Sequence, residues 1–309
     1  MNLSRRQFVK TAALLGATAG ISQLSAAADK SIRIGAPLFE SFTDPQDWVK
    51  ALRTRGYGAA YCPVKYNDPK EIKKAYREAA RAHNIVIAEV GAWSNPISRD
   101  ETERQAALQK NIEGLILAEE MGANCCVNIA GSRGASWAGP HRDNLTRETF
   151  EMIVDTVRTI IDSVKPTRTF YTLEMMPFTI PDSVDSYLNL IKAIDRPRFA
   201  CHLDPVNLIN SPYKLYNSTA LIKECFARLG PYIKSCHAKD IVLLDETIVQ
   251  FQEVMPGKGE LDYAAFLNEL AGFSGTVPLM IEHLSSDQEY RRAADYIRQV
   301  GQKQNITFM

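Results

Sequence analysis

Four residues of this 309-residue chain combine metal-ligating chemistry with regular spacing: Glu174, Asp204, His237 and Glu282. They stand 30, 33 and 45 residues apart, from 174 to 204, 204 to 237 and 237 to 282. Each closes a short apolar, β-rich run: Thr169–Leu173, Phe199–Leu203, Ile233–Cys236 and Pro278–Ile281. A strand with its crossover helix takes about 30 residues, so the spacing puts the four at the ends of four successive strands. Three carboxylates and one imidazole converging there would repel strongly unless a cation lies between them. The oxygen-rich, one-nitrogen set suits Mn²⁺, Co²⁺, Mg²⁺ or Zn²⁺ rather than a thiophilic ion. Taken singly, each carboxylate reads equally well as a cap for the next helix, and the histidine as a satisfied core residue. Four such residues on consecutive strands point instead to a metal centre.

The rest of the chain supplies the elements that would position them. Strands are expected over Ile32–Ala36, Gly58–Cys62, Val86–Val90, Cys125–Ala130, Thr169–Glu174, Phe199–Asp204, Ile233–His237 and Pro278–Glu282. Helices of 3.6-residue period fill the gaps: Pro45–Arg55, Pro69–Ala82, Glu101–Met121, Arg147–Ser163, Pro181–Ile194, Thr219–Leu229, Asp262–Ala271 and Ser286–Val300. Asp44-Pro45 and Asp68-Pro69 put a capping carboxylate before a proline at a helix start, and Gly56 and Gly122 stand just past helix ends. Eight alternations of strand and helix, with no G-x-G-x-x-G after the first strand, read as an α/β fold of one domain, a (β/α)8 TIM barrel. Active sites of such barrels sit at the C-terminal ends of the strands, which is where the four residues fall.

Residues 1–28 are set apart as a targeting segment. Ser4-Arg5-Arg6-Gln7-Phe8-Val9-Lys10, an uncharged stretch from Thr11 to Ser25 and the small residues Ala26 and Ala28 look like a twin-arginine signal. Cleavage would leave a mature chain from Asp29, so the expected domains are 1–28 as signal and 29–309 as barrel. The expected location is periplasmic, or otherwise exported by the twin-arginine pathway, with no membrane association after cleavage. Lys plus Arg and Asp plus Glu both number 36, with no block of like charge. Nucleic acid is therefore not expected as a partner, since its binders carry a basic face. The six cysteines fall inside expected strands and one helix and form no C-x-x-C pair, so they read as free core thiols.

With the motifs in place, the chain resembles the sugar phosphate isomerase/epimerase family, the xylose-isomerase-like barrels. The resemblance covers the mature chain. It rests on Leu173-Glu174-Met175, His202-Leu203-Asp204-Pro205-Val206-Asn207, His237-Ala238-Lys239-Asp240, Pro256–Tyr263 and Ile281-Glu282-His283, with Pro140–Thr146 also familiar. It implies that Glu174, Asp204, His237 and Glu282 bind one divalent ion, that Glu174 and Glu282 double as acid and base, and that the substrate is a sugar or sugar derivative. The implied reaction is isomerisation or epimerisation by enolisation, with elimination from a keto-sugar, 3-keto-glycoside or inosose as the alternative from the same first step. Ketose 3-epimerases carry a histidine three residues after the metal aspartate and an arginine six after the metal histidine. Here Asn207 and Leu243 occupy those places.

Candidate substrate contacts are His202, Asn207, Lys239, Trp137 and His141, with Trp93 and Arg142 on loops at the same end. Glu89 and Glu40, at or just beyond the ends of the third and first strands, are read as bonding a sugar or a loop amide and rank below the four ligands, and Arg133, in the loop after the fourth strand, is a similar case. Two further classes stand beside the enzyme of sugars. A DNA-repair barrel would need three zinc ions and more histidines than the five present, of which His83 lies at a helix end. A non-catalytic sugar-binding module would keep the aromatic loops but would not need both glutamates. Oligomeric state is open, a homo-oligomer included.

Overall fold

In the computed structural model, which describes residues 30–309, eight parallel strands form a nearly closed barrel wrapped by eight helices. The strands are β1 (Ile34–Gly35), β2 (Ala59–Tyr61), β3 (Val86–Gly91), β4 (Cys125–Asn128), β5 (Phe170–Glu174), β6 (Phe199–Leu203), β7 (Ile233–Ala238) and β8 (Leu279–Ile281). Neighbours in sequence are neighbours in space from β2 round to β8, and β8 then pairs with β1. The seam between β1 and β2 is held by one main-chain bond, Gly58 N–H to Ile34 O at 3.1 Å. Backbones come so close there that a Cβ on Gly35 would run into the Ala59 carbonyl. Among the described residues no helix is long and apolar enough to cross a membrane. Residues 1–28, expected to be a twin-arginine signal, lie outside the described residues.

The helices are α1 (Pro45–Thr54), α2 (Lys70–Ala82), α3 (Glu101–Met121), α4 (Arg147–Val164), α5 (Val184–Ile194), α6 (Ser218–Leu229), α7 (Tyr263–Ala271) and α8 (Asp287–Lys303). Their starts follow capping chemistry: Asp44 accepts from the Gln46 N–H at 2.8 Å, Asp100 from the Glu103 N–H at 2.8 Å, and Ser183 and Ser186 form a reciprocal capping box. Gly122 ends α3 at φ 71°, a left-handed position that suits glycine. Each helix turns an apolar stripe onto the sheet. In α1 the stripe is Trp48, Val49 and Leu52, all buried, and each such side chain contributes roughly 1.5–3 kcal/mol. The large core lies between helices and sheet, while Ala59, Ala88 and Met280, with Tyr61 against them, form a small separate cluster.

Several boundaries differ from the expected ones for local reasons. The first expected strand divides at Arg33: Ser31–Ile32 pairs in parallel with Thr307–Phe308, and only Ile34–Gly35 enters the barrel. Asp68 does not cap α2. Its carboxylate closes the preceding turn by accepting from the Lys65 N–H at 2.7 Å, and Pro69 becomes the N-cap. The helix expected from Pro181 begins at Val184, because Ser183 is its cap. The sequence reading also missed a short helix, Pro212–Tyr216, and a hairpin after β7, Asp240–Leu243 with Phe251–Val254. The turn after that hairpin is tied to Asp240, whose carboxylate accepts main-chain N–H bonds from Ile241, Gly257, Gly259 and Leu261 at 2.9–3.0 Å. All six cysteines are free, five of them buried.

Candidate functional site

Strands β5 to β8 end side by side, so the residues that close them meet at one end of the barrel. Glu174, Asp204, His237 and Glu282 each offer a ligand atom within 4.8 Å of the others. His237 Nδ1 lies 2.9 Å from Glu282 Oε1 and 3.4 Å from Glu174 Oε1. Lys239, two residues past His237, extends its ammonium into the same cluster, 2.8 Å from Asp204 Oδ2 and 2.8 Å from Glu282 Oε1. Asn207 follows the turn after β6 and donates to Glu174 Oε1 at 2.7 Å, while its own carbonyl accepts from Lys239 Nζ at 3.2 Å. The Val206 N–H holds Asp204 Oδ1 at 2.9 Å.

The fit to a metal ion can be judged from unmet bonding. Asp204 Oδ2, His237 Nδ1 and Glu282 Oε1 are buried without a directed hydrogen bond. The lysine contacts to the two oxygens have ion-pair distances but not hydrogen-bond direction. Buried polar atoms are normally satisfied, and three unsatisfied ones converging from three strands are what a coordinating ion would complete. The donor set and its geometry therefore fit a divalent ion.

Beneath this cluster lies a second layer. Glu89 on β3 is 1% exposed and bonds His202 Nε2 at 2.9 Å, His237 Nε2 at 3.1 Å and the Ser235 hydroxyl at 2.9 Å. The His202 and His237 rings meet edge to face with centroids 4.1 Å apart. Because His237 Nε2 faces Glu89, Nδ1 is the nitrogen turned toward Glu174 and Glu282. A carboxylate behind a ligating imidazole fixes its orientation and raises its basicity.

Charge and burial oppose each other throughout. Burial alone would raise the Glu89 carboxyl, but His237 and His202 outweigh it and hold it below the usual range. The same holds for Glu174 and more strongly for Glu282, where His237 and Lys239 again overcome burial. At Asp204 burial wins over the pull of Lys239, and the carboxyl is pushed up to about 6. His237 and Lys239 are both lifted well above their ordinary values: burial opposes this, and the surrounding carboxylates prevail.

The cluster forms one wall of a cavity of about 920 Å³. Trp93, Trp137, Phe42, Tyr61 and Tyr290 supply aromatic surface, and Glu40, Lys239 and His283 supply charge. Among the described residues no arginine lines it. Of the expected substrate contacts, Lys239 and Trp137 line the cavity, while His202, Asn207 and His141 do not. His202 is fully buried against Glu89, Asn207 is spent on Glu174 and Lys239, and His141 caps the turn Arg142–Leu145 through its Nδ1. Arg133 donates to the Ile97 carbonyl, and Glu40 pairs with Arg55 at the cavity edge. His283 was not singled out in the sequence. It sits in a left-handed conformation, φ 60°, directly after Glu282 and pairs with Glu253 at 3.0 Å. Its signal was adjacency to a strand-end glutamate.

An α/β barrel with a polar cluster at the strand ends and a cavity above it has the layout of a (β/α)8 enzyme site. The chain belongs to the xylose isomerase-like TIM barrel family, whose profile matches residues 29–300. Similar solved structures include a xylose isomerase-like TIM barrel protein from Mycobacterium smegmatis in complex with magnesium, 16% identical with a TM-score of 0.61 over 87% of this chain and 96% of that one. A probable 3-DHS dehydratase from Bacillus anthracis is 16% identical with a TM-score of 0.65 over 86% and 97%. A 3-keto-D-glucoside 4-epimerase from E. coli is 13% identical with a TM-score of 0.61 over 87% and 100%. At such identities the likeness is one of fold. No curated protein sequence matches the chain.

Proposed function

We propose that the protein is a divalent-metal-dependent enzyme that enolises a sugar or sugar derivative, with Glu174, Asp204, His237 and Glu282 as the ion's ligands. The observation that carries this reading is the convergence of four ligand atoms within 4.8 Å, three of them buried and unsatisfied, in the wall of an aromatic-rich cavity. A divalent ion bound there would polarise a substrate carbonyl and its neighbouring hydroxyl.

The chain's own groups would do the proton work. Glu174 and Glu282 turn Oε1 into the cluster. Among the described residues nothing bonds Glu174 Oε2, and Glu282 Oε2 has only the His283 ring at 3.6 Å. Those two oxygens are the candidates for taking a proton from the carbon beside the carbonyl and for returning one. Both carboxyls are held below the usual carboxylate range, so either can take the proton, and the one that has taken it is then the acid that returns it. Trp93 and Trp137 offer faces for the apolar side of a sugar ring.

Epimerisation or isomerisation is the first reading, and elimination from a keto-sugar, 3-keto-glycoside or inosose the second. What favours the second is the replacement of the ketose-binding pair: Asn207 bonds Glu174 and Lys239, and Leu243 packs into the hairpin against the core. The test is incubation of metal-loaded protein in D₂O with free keto-sugars and with 3-keto-glycosides. Deuterium should enter at the carbon next to the carbonyl, and Glu174→Gln or Glu282→Gln should slow it by about 10²- to 10⁴-fold. Absence of exchange across both panels with each of Mn²⁺, Co²⁺, Mg²⁺ and Zn²⁺ would refute enolisation. Loss of water or of the aglycone would select elimination.

A further inference from the structure

Lys239 is placed unlike a substrate contact. Its side chain is 3% exposed, and its ammonium sits between the two carboxylates whose inner oxygens lack directed hydrogen bonds. It supplies charge to the cluster without completing the oxygens' bonding. An ion within coordination reach of both Asp204 Oδ2 and Glu282 Oε1, about 2.1 Å from each, would lie no more than about 5 Å from Nζ. Ammonium and dication would then repel each other at close range while drawing on the same lone pairs.

We infer that Lys239 is the resident counter-ion of this cluster, and that loading a divalent ion displaces its ammonium toward Glu253 and the cavity, where it becomes a contact for substrate oxygen. The inference rests on the metal reading above and deepens it. A receiving group is already in place. Glu253 Oε2 lies 3.9 Å from Nζ, on the hairpin strand Phe251–Val254, with its side chain 38% exposed beside His283.

Room and a fixed pivot are also present. The 920 Å³ cavity opens on Lys239, and the four-carbon stem turns freely about its bonds. The main chain does not move with it: the Tyr263 hydroxyl donates to the Lys239 carbonyl at 2.8 Å, and the four N–H bonds to Asp240 pin the next residue. Only the side chain changes place, so binding of the ion and completion of the substrate site become one event.

Calorimetric titration of wild type, Lys239→Met and Lys239→Gln with Mn²⁺ or Co²⁺, alongside thermal melts with and without the ion, tests this. Both variants should bind the ion at least tenfold more tightly than wild type, melt lower in chelator and gain more from added ion. In a metal-loaded wild-type structure Nζ should stand more than 4 Å from both Asp204 Oδ2 and Glu282 Oε1. Folded variants with wild-type affinity, or a loaded structure with Nζ still between the carboxylates, would overturn the inference and leave the metal reading intact. Absence of ion binding by wild type and both variants would overturn the two together.

Discussion

Substituting Glu89 by Gln separates what the buried second layer does for stability from what it does for the site. The carboxylate accepts three bonds, from His202 Nε2 at 2.9 Å, the Ser235 hydroxyl at 2.9 Å and His237 Nε2 at 3.1 Å. A glutamine has one acceptor oxygen and one donor nitrogen. If the amide nitrogen faced His202 and Ser235, two donors would be opposed; facing His237, only one would be. The second arrangement is the cheaper. It costs one charge-assisted hydrogen bond, about 1.5–3 kcal/mol. In a chain of this size that lowers the Tm by roughly 2–5 °C. The opposed imidazole can recover its bond by carrying its proton on Nδ1, the nitrogen 2.9 Å from Glu282 and 3.4 Å from Glu174. The lone pair available to an ion is then lost, and affinity should fall 10- to 100-fold. Urea unfolding in chelator measures the first quantity and calorimetric titration with Mn²⁺ the second. A variant within 0.5 kcal/mol of wild type, on the order of a neutral surface change, and with unaltered ion affinity would refute the reasoning.

Four further outcomes are expected. Glu174→Gln and Glu282→Gln should each slow solvent exchange by about 10²- to 10⁴-fold, while a binding module would keep its ligand affinity in both. Gly35→Ala should destabilise the barrel by about 2–3 kcal/mol, because its methyl group meets the Ala59 carbonyl, a backbone atom that cannot turn aside; unfolding in urea reports it. Glu119, at the end of α3, accepts the main-chain N–H groups of Arg168 and Thr169 at 3.0 Å and the Thr167 hydroxyl at 2.7 Å. Burial raises its carboxyl, those bonds outweigh burial, and it is lowered to about 2. A depressed carboxyl stabilises above its unfolded pKa, about 4.3, and the benefit disappears as pH falls toward 2. Glu119→Gln should therefore cost about 1–2 kcal/mol at pH 7 and progressively less below pH 4. Replacing Arg5 and Arg6 by Lys should keep the protein in the cytoplasm with residues 1–28 uncut; export at the wild-type level would count against the twin-arginine reading.

What could be read from the sequence followed from periodicity. One strand and one helix recur eight times, and the strands are short, apolar and regularly spaced, so the barrel and the meeting of Glu174, Asp204, His237 and Glu282 could be deduced before any geometry. The layer below them was not read, although its signal was present. Side chains on a strand alternate faces, so His202, two before Asp204, shares that residue's face one step deeper, and Ser235 stands in the same relation to His237. Parity places His202 beneath the site rather than beside a substrate. Glu89 is harder, because a glutamate within the apolar run Val86–Val90 reads as a strand end until two imidazoles are seen to need it. Asn207 and Lys239 were recognised as belonging to the site, but their mutual bond depends on side-chain reach across two strands, which spacing does not encode. The split first strand escaped notice because Ile32 and Ile34 are equally apolar, and only the partner Thr307–Phe308 distinguishes them.

That partner also dictates an order of events. Lys30 and Ile32 receive main-chain N–H bonds from Thr307 and Met309, at 2.9 and 3.0 Å. Both groups lie 277 residues further along the chain than their partners, so the strand Ser31–Ile32 has nothing to pair with until that distant segment has been made. An emerging chain cannot close this ring from its leading end. Closing so long a loop costs conformational entropy that grows only slowly with its length, so the separation delays this pairing more than it weakens it.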